Sequence, residues 1–254
     1  MPSLADTRER MFAIMFRGMY AMLFRRTIAA DVVKAIIVGG LLAYFTANRI
    51  IGVSVFSAGP KTGFSGIIQD FFIGAALAFI SLYLILHDVA QAHQTTTNGW
   101  NTTRHCNRPG NGILMRAACA QYLPMANVWE EAAYWTTTID STGRVLSGRR
   151  NYVLHFPAGQ LPPNGAFWSV TMTDVRNYMV PNPANRYSVS NKSGLVPNAD
   201  GSTDIHIQHT SPAGHESNWL PAPSGDLKLW LRVYVPGAAI LDGKYEIPPV
   251  VEVK

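Results

Sequence analysis

The amino-acid sequence predicts a mainly β fold, an antiparallel sandwich or barrel, behind an apolar N-terminal segment that is helical and membrane-associated. Three observations predict it. After about residue 140 the chain becomes a series of short strand-like segments parted by Pro, Gly, Asn and Asp, the texture of an all-β domain. Residues 226–235, "DLKLWLRVYV", alternate without a break. Leu227, Leu229, Leu231, Val233 and Val235 take one face, and Lys228, Trp230, Arg232 and Tyr234 the other. Finally, the 48% hydrophobic share of the 254 residues is concentrated before residue 90, and the remainder reads as a domain long enough to bury its own core.

The elements at the front explain the membrane expectation. Residues 71–86, "FFIGAALAFISLYLIL", carry no charge; with "GIIQD" ahead of them they reach about 20 residues, enough for a hydrocarbon core of ~30 Å. Residues 35–47, "AIIVGGLLAYFTA", are shorter and flanked by Lys34 and Arg49. Extended back through Val32 they form a second span with Lys34 snorkelling to the interface, or else a buried or interfacial helix. The intervening "SAGPKTGFSG" has the composition of a hairpin turn. Further upstream, "RERMFAIMFRGMYAMLFRR" is apolar but studded with arginine, which suits a helix lying in the headgroup plane against anionic lipid. No small-residue cleavage site comes after it, so the segment reads as a retained anchor.

The expected organisation is therefore a basic interfacial helix over 1–28, a transmembrane hairpin over 29–90, a linker over 91–112 and a β-sandwich over 113–254. Five arginines precede the first span, which places the N-terminus in the cytoplasm by the positive-inside rule. Two spans return the sandwich to that side; one span carries it across. The chain reads as an integral membrane protein, with the bacterial inner membrane as its location and the sandwich's side open. The net charge of +5 comes with no lysine-rich tract, so it points to a membrane surface and not to nucleic acid. Cys106 and Cys119 are the two cysteines; one bridge or two free thiols both fit.

In the second part, "QTTTNGWNTTRHCNRPGNG" (94–112) reads as loop and "ILMRAACAQYL" (113–123) as a short amphipathic helix. "NVWEEAAYWTTTID" passes from helix-like into β-favouring residues, and "STGR" and "LSGRR" read as turns. "NYVLHF", "AFWSVTMTDV" and "TDIHIQH" are strands ahead of the one described above. "SNWLPAPSG" (217–225) reads as a rigid corner. Pro221 and Pro223 remove two donors and fix φ, while Trp219 and Leu220 clamp the bend to the sheet.

These segments also carry a resemblance. "NYVLHFPAGQLPPNGAFWSVTMTD", "VPNPANRYSV", "NADGSTDIHIQHTSP", "SNWLPAPSG" and "LDGKYEIPPVVEV" occur in order and resemble the bacterial domain-of-unknown-function family numbered 1214. The preceding "NGILMRAACA" and "EEAAYWTTTIDSTGRVLSG" resemble the connection from that domain to its frequent partner, family 1254. The likeness covers about residues 98–254. The partner domain is missing and the apolar segments stand in its place; "RHCNRPGNG" also departs from the family's Gly-Tyr-Gly-Asn-like run. The resemblance implies a jelly-roll-like β-sandwich and brings no established activity.

Chemistry-bearing motifs are sparse. His206 and His209 are three apart, on opposite faces of a strand, whereas metal ligands on one strand need even spacing. His215 could approach His209 from the next loop, but no Glu or Cys completes a site; His155 reads as a satisfied sheet histidine. There is no nucleophile elbow, phosphate loop or dinucleotide fingerprint. Glu130 and Glu131 are adjacent and diverge, and nothing in the sequence gathers Asp174, Asp204 and Glu216. No cofactor and no metal is expected. One polar-aromatic set remains as a candidate ligand pocket: Trp168, Asn182, Asn185, Arg186, Tyr187, His209, Asn218 and Trp219. Aromatic walls with a few amides suit a sugar or small acid, and pinning of loops is the competing reading. The expectation is a binding or interaction module with no established catalytic activity. Its partners are the lipid bilayer and membrane proteins, as an accessory subunit, or further copies of itself. The alternative is an enzyme acting on a small polar or carbohydrate-like substrate.

Overall fold

The computed structural model describes residues 79–123 and 126–253. The interfacial helix, the 35–47 segment and the first part of the 71–86 run lie outside them. Two compact units divide at Ala92 and His93. In the first, residues 79–92 are helical. Among the described residues no helix is long and apolar enough to cross a membrane.

The second unit is a two-sheet sandwich. One sheet has six strands, β1 (Thr95–Thr97), β2 (Trp100–Thr102), β3 (Ala132–Thr137), β9 (Leu227–Pro236), β5 (Asn164–Asp174) and β6 (Ser188–Ser190), neighbours in that order. The other has four: β10 (Val250–Val253), β4 (Asn151–Phe156), β7 (Thr203–Gln208) and β8 (Trp219–Pro221). Alternation dictates what meets between them. Leu227, Leu229, Leu231 and Val233 of β9, with Trp168 and Val170 of β5, face Tyr152, Leu154 and Phe156 of β4 and Ile205 and Ile207 of β7, all essentially inaccessible. Each such side chain contributes roughly 1.5–3 kcal/mol.

Three details differ from the expectation. The sandwich is not purely antiparallel, because β8 runs parallel to β7; the connecting residues 209–218 turn twice and bring the chain back in its original direction. The expected linker contains the β1–β2 hairpin, built on an Asn98–Gly99 turn with both φ values positive (52° and 81°), the conformation that two-residue hairpins require. Its Trp100 is fully buried and donates from Nε1 to Pro248 O at 3.0 Å. Val235, expected on the core face, is 55% exposed with φ +51°. The β5–β9 register shifts between Asn164 and Phe167, and this irregularity swings Val235 out of the alternation.

Helix α1 (Ile113–Tyr122) buries Met115, Ala118 and Cys119, and a short helix α2 (Ala238–Leu241) comes after β9. Cys106 and Cys119 are joined in a disulfide, which settles the choice left open by the sequence and fastens the 103–112 loop to α1.

The turn after β3 hangs on one carboxylate. Asp140, 2% exposed, accepts from Thr142 N (2.8 Å), Thr142 Oγ1 (2.6 Å) and Arg144 N (3.0 Å). Burial by itself raises its pKa; the hydrogen bonds from Thr142 and Arg144, with the Arg144 charge, outweigh that and hold it below the usual value. A depressed carboxylate contributes stability that is present above its unfolded-state pKa and lost as pH falls through the folded one. Thermal midpoints of the native chain should therefore fall between about pH 4 and 2 more steeply than those of Asp140→Asn, which starts lower at neutral pH.

Candidate functional site

The polar residues expected around a ligand are drawn together at the end of the sandwich, but around backbone. Pro183 restricts Asn182 to an extended geometry, and the Asn182 side chain then spans the turn. It accepts from Arg186 N (3.1 Å) and donates to Arg186 O (2.9 Å). Asn185 completes the turn at φ +48°, its N–H donating to Asn182 O at 2.9 Å. Arg186 is thereby aimed at the corner before β8, where its Nη1 donates to Glu216 O (2.6 Å) and Trp219 O (3.0 Å). Tyr187, part-exposed, lends its carbonyl to Met172 N at 3.0 Å.

Asn218 is the centre of that corner and is 3% exposed. Its Oδ1 accepts from Val196 N (2.8 Å), and its Nδ2 donates to Val196 O (2.8 Å) and Asp204 O (2.9 Å). The amide thus stands in for a strand residue. Trp219 donates from Nε1 to Gln208 O at 2.8 Å, and His209 Nδ1 lies 2.9 Å from Ala222 O. Trp168 is elsewhere, inside the core, tilted against Phe156 at 5.5 Å. Asn182, Arg186, Asn218 and Trp219 therefore form one network, whose donors meet the protein's own carbonyls. This is the geometry of a clamped corner.

A second cluster, on the outer face of the four-stranded sheet, was not legible as a unit. His155 and Asp204 are direct cross-strand partners of β4 and β7, with Nδ1 and Oδ1 2.6 Å apart. Asn198 Nδ2 donates to the other Asp204 oxygen at 2.9 Å. Such a carboxylate–imidazole pair orients a histidine, yet among the described residues no hydroxyl or thiol is hydrogen-bonded to the other ring nitrogen. Two residues along β7, His206 meets His215 with ring centroids 4.7 Å apart. Burial, then the neighbouring His215 charge, lowers the His206 pKa. It is His206, not His209, that His215 reaches. Among the described residues no group of three or more His, Cys, Asp and Glu is arranged to hold a metal ion.

The comparisons bear on fold and family. Residues 131–238, from the start of β3 to just beyond β9, match the family model described as "Protein of unknown function (DUF1214)". No curated protein matches. The crystal structure of the VPA0106 protein from Vibrio parahaemolyticus is similar at 24% identity and a TM-score of 0.54, over 72% of this chain and 46% of that one. The likeness concerns the fold alone, and this chain spans about half the length of that protein. A crystal structure of an uncharacterized protein from Burkholderia cenocepacia aligns at 14% identity over 90% of this chain and 52% of that one, with a TM-score of 0.33, which carries no argument.

Proposed function

We propose that this β-sandwich, whose residues 131–238 match the DUF1214 model, is a binding module anchored at a bilayer by the apolar segment ahead of it. One observation carries the reading. In the helical residues 79–92, Phe79, Ile80, Leu82, Tyr83 and Leu84 are between 48% and 75% exposed, so the helix offers apolar side chains around most of its circumference and continues an uncharged run in the sequence. Exposed apolar side chains spread that widely on a helix ask for hydrocarbon or a protein interior. The polar groups of Arg186 and His209 meet the carbonyls of Glu216, Trp219 and Ala222, which favours binding or assembly over catalysis. Partners fitting this reading are lipid and membrane proteins, as an accessory subunit, or further copies of the chain.

The disulfide supports a side. Bridges persist in oxidising compartments and are rare in the cytosol, so Cys106–Cys119 favours a topology in which an odd number of crossings carries the sandwich out of the cytoplasm. The full chain is expected to stay in the membrane fraction through alkaline carbonate washing and to leave it in mild detergent. In intact cells, acid-quenched and treated with a membrane-permeant maleimide, neither cysteine should react until reductant is added. A freely water-soluble chain sinks the anchoring; two thiols that label without reductant sink the outward placement.

A further inference from the structure

The outward face of β9 is a feature of the sequence that the clamped corner does not use. Lys228, Trp230, Arg232 and Tyr234 occupy it, and their ladder partners on β5 are Thr173, Thr171, Ser169 and Phe167. At about 3.3 Å per residue, Lys228 and Arg232 start roughly 13 Å apart along the strand. Their side chains then turn toward the residues between them. Lys228 bends forward until Nζ lies 4.5 Å from the centre of the Trp230 ring. Arg232 bends back, its Nη2 donating to Thr171 Oγ1 at 2.6 Å, and Thr171 is the residue directly opposite Trp230. Two cations from opposite directions therefore meet over one cross-strand row, Trp230–Thr171, with the Thr136 and Ser188 positions continuing that row on β3 and β6.

Among the described residues no carboxylate neutralises either charge: Lys228 and Arg232 form no ion pair, and Arg232 Nε is buried with no hydrogen-bond partner. No outward position of β3, β5, β6 or β9 is an Asp or Glu. The nearby Asp174 carboxylate is committed to Arg176 and to the Tyr178 backbone. Burial pushes the Lys228 ammonium below its usual pKa, as expected of a cation without a counter-charge. Thr171, only 2% exposed, shows that the floor of the row is shielded from water. Half-buried cations in proteins are ordinarily paired with an anion; here no described carboxylate fills that place.

The geometry points to an oxyanion-binding site on the outer face of the six-stranded sheet, in which Lys228 and Arg232 hold a carboxylate, phosphate or sulfate group of a ligand over the Trp230–Thr171 row. Arg232 supplies the planar fork, Lys228 a point charge, and the Thr171 hydroxyl, already accepting from Arg232, keeps its own proton to donate. This names a ligand chemistry for the binding-module reading. It does not depend on anchoring, because the test is run on the solubilised full chain.

Thermal unfolding of the full-length protein in a neutral detergent, with sodium phosphate, sodium glucuronate or added phosphatidylglycerol, tests it and separates a free ligand from a lipid headgroup. At least one of these anions, at ten times its Kd, should raise the midpoint by about 3 °C relative to chloride at equal ionic strength. Lys228→Met and Arg232→Met should each weaken that anion at least tenfold, while Lys244→Met, which removes one positive charge elsewhere, should keep the full effect. Lys228→Met without anion should melt at or above the native midpoint, since it removes a desolvated charge. No anion effect in the native chain, an equal loss in Lys244→Met, or a midpoint for Lys228→Met several degrees low without anion overturns the site.

Discussion

Gly148→Ala should unfold the protein at a temperature some 6–12 °C below the native midpoint, a loss of about 3 kcal/mol or more. A Cβ built on Gly148 would sit 1.5 Å from Pro223 O and 2.7 Å from Pro223 C. The obstacle is backbone, in a corner whose φ is fixed by proline, so no side-chain rotation relieves it. The two segments are also bonded where they meet: Gly148 N donates to Gly225 O at 3.0 Å, and Ser147 bridges Asp226. Separating them by the ångström or two that a methyl group needs breaks that pairing as well. Gly225→Ala is the control, because nothing lies within 4 Å of its added Cβ; it should be neutral or slightly stabilising. Thermal unfolding followed by circular dichroism reads both, and equal midpoints for the two variants would contradict the close approach.

Asn218→Leu is the second large effect, expected at roughly 3–5 kcal/mol. The substitution keeps the shape and removes the amide, leaving Val196 N–H, Val196 C=O and Asp204 C=O without the partners they have now. Buried backbone groups left unsatisfied cost about 1–3 kcal/mol each, and partial access of water to the corner recovers some of the total. Asn218→Asp separates the hydrogen-bonding role from the volume. It retains the acceptor for Val196 N–H but turns a carboxylate oxygen toward two carbonyls. It should be destabilised at neutral pH and regain part of the loss when acid protonates the new side chain. A midpoint for Asn218→Leu within a degree or two of the native value would show that the amide is not the keystone of the corner.

Local pattern makes some of this fold legible and hides the rest. Strict alternation over 226–235 places the β9 core face at Leu227, Leu229, Leu231 and Val233, as found, because side-chain direction in a strand depends only on parity. The proline corner at 217–225 is equally local. Val235 escapes the pattern since its direction is set by a register shift against β5, tens of residues away in sequence. The bonds of Arg186 to Glu216 O and Trp219 O, and of Asn218 to Val196, join residues 22 to 33 positions apart. They depend on how loops land on the sheets, so the sequence shows the residue types without their partners. The meeting of Lys228 and Arg232 beside Thr171 is hidden for the same reason. By contrast, the Asn98–Gly99 hairpin was in plain sight, a two-residue turn close to threonines on either side, concealed only by the polar composition around it.

The attachment of β1 and β2 to the far end of the chain has a temporal meaning. Asn98 and Trp100 donate to Ile247 O and Pro248 O across nearly 150 residues, and β10, formed by residues 250–253, completes the sheet that begins with β4. During synthesis the first of these groups emerges long before the last, so the domain cannot close until residues 247–253 have been made. A fold with such distant pairings forms slowly once its parts are present. The nascent polypeptide must therefore be kept from sticking to itself while its greasy leading segment is already outside the ribosome, and chaperone depletion should harm the yield of this chain before it harms its finished form.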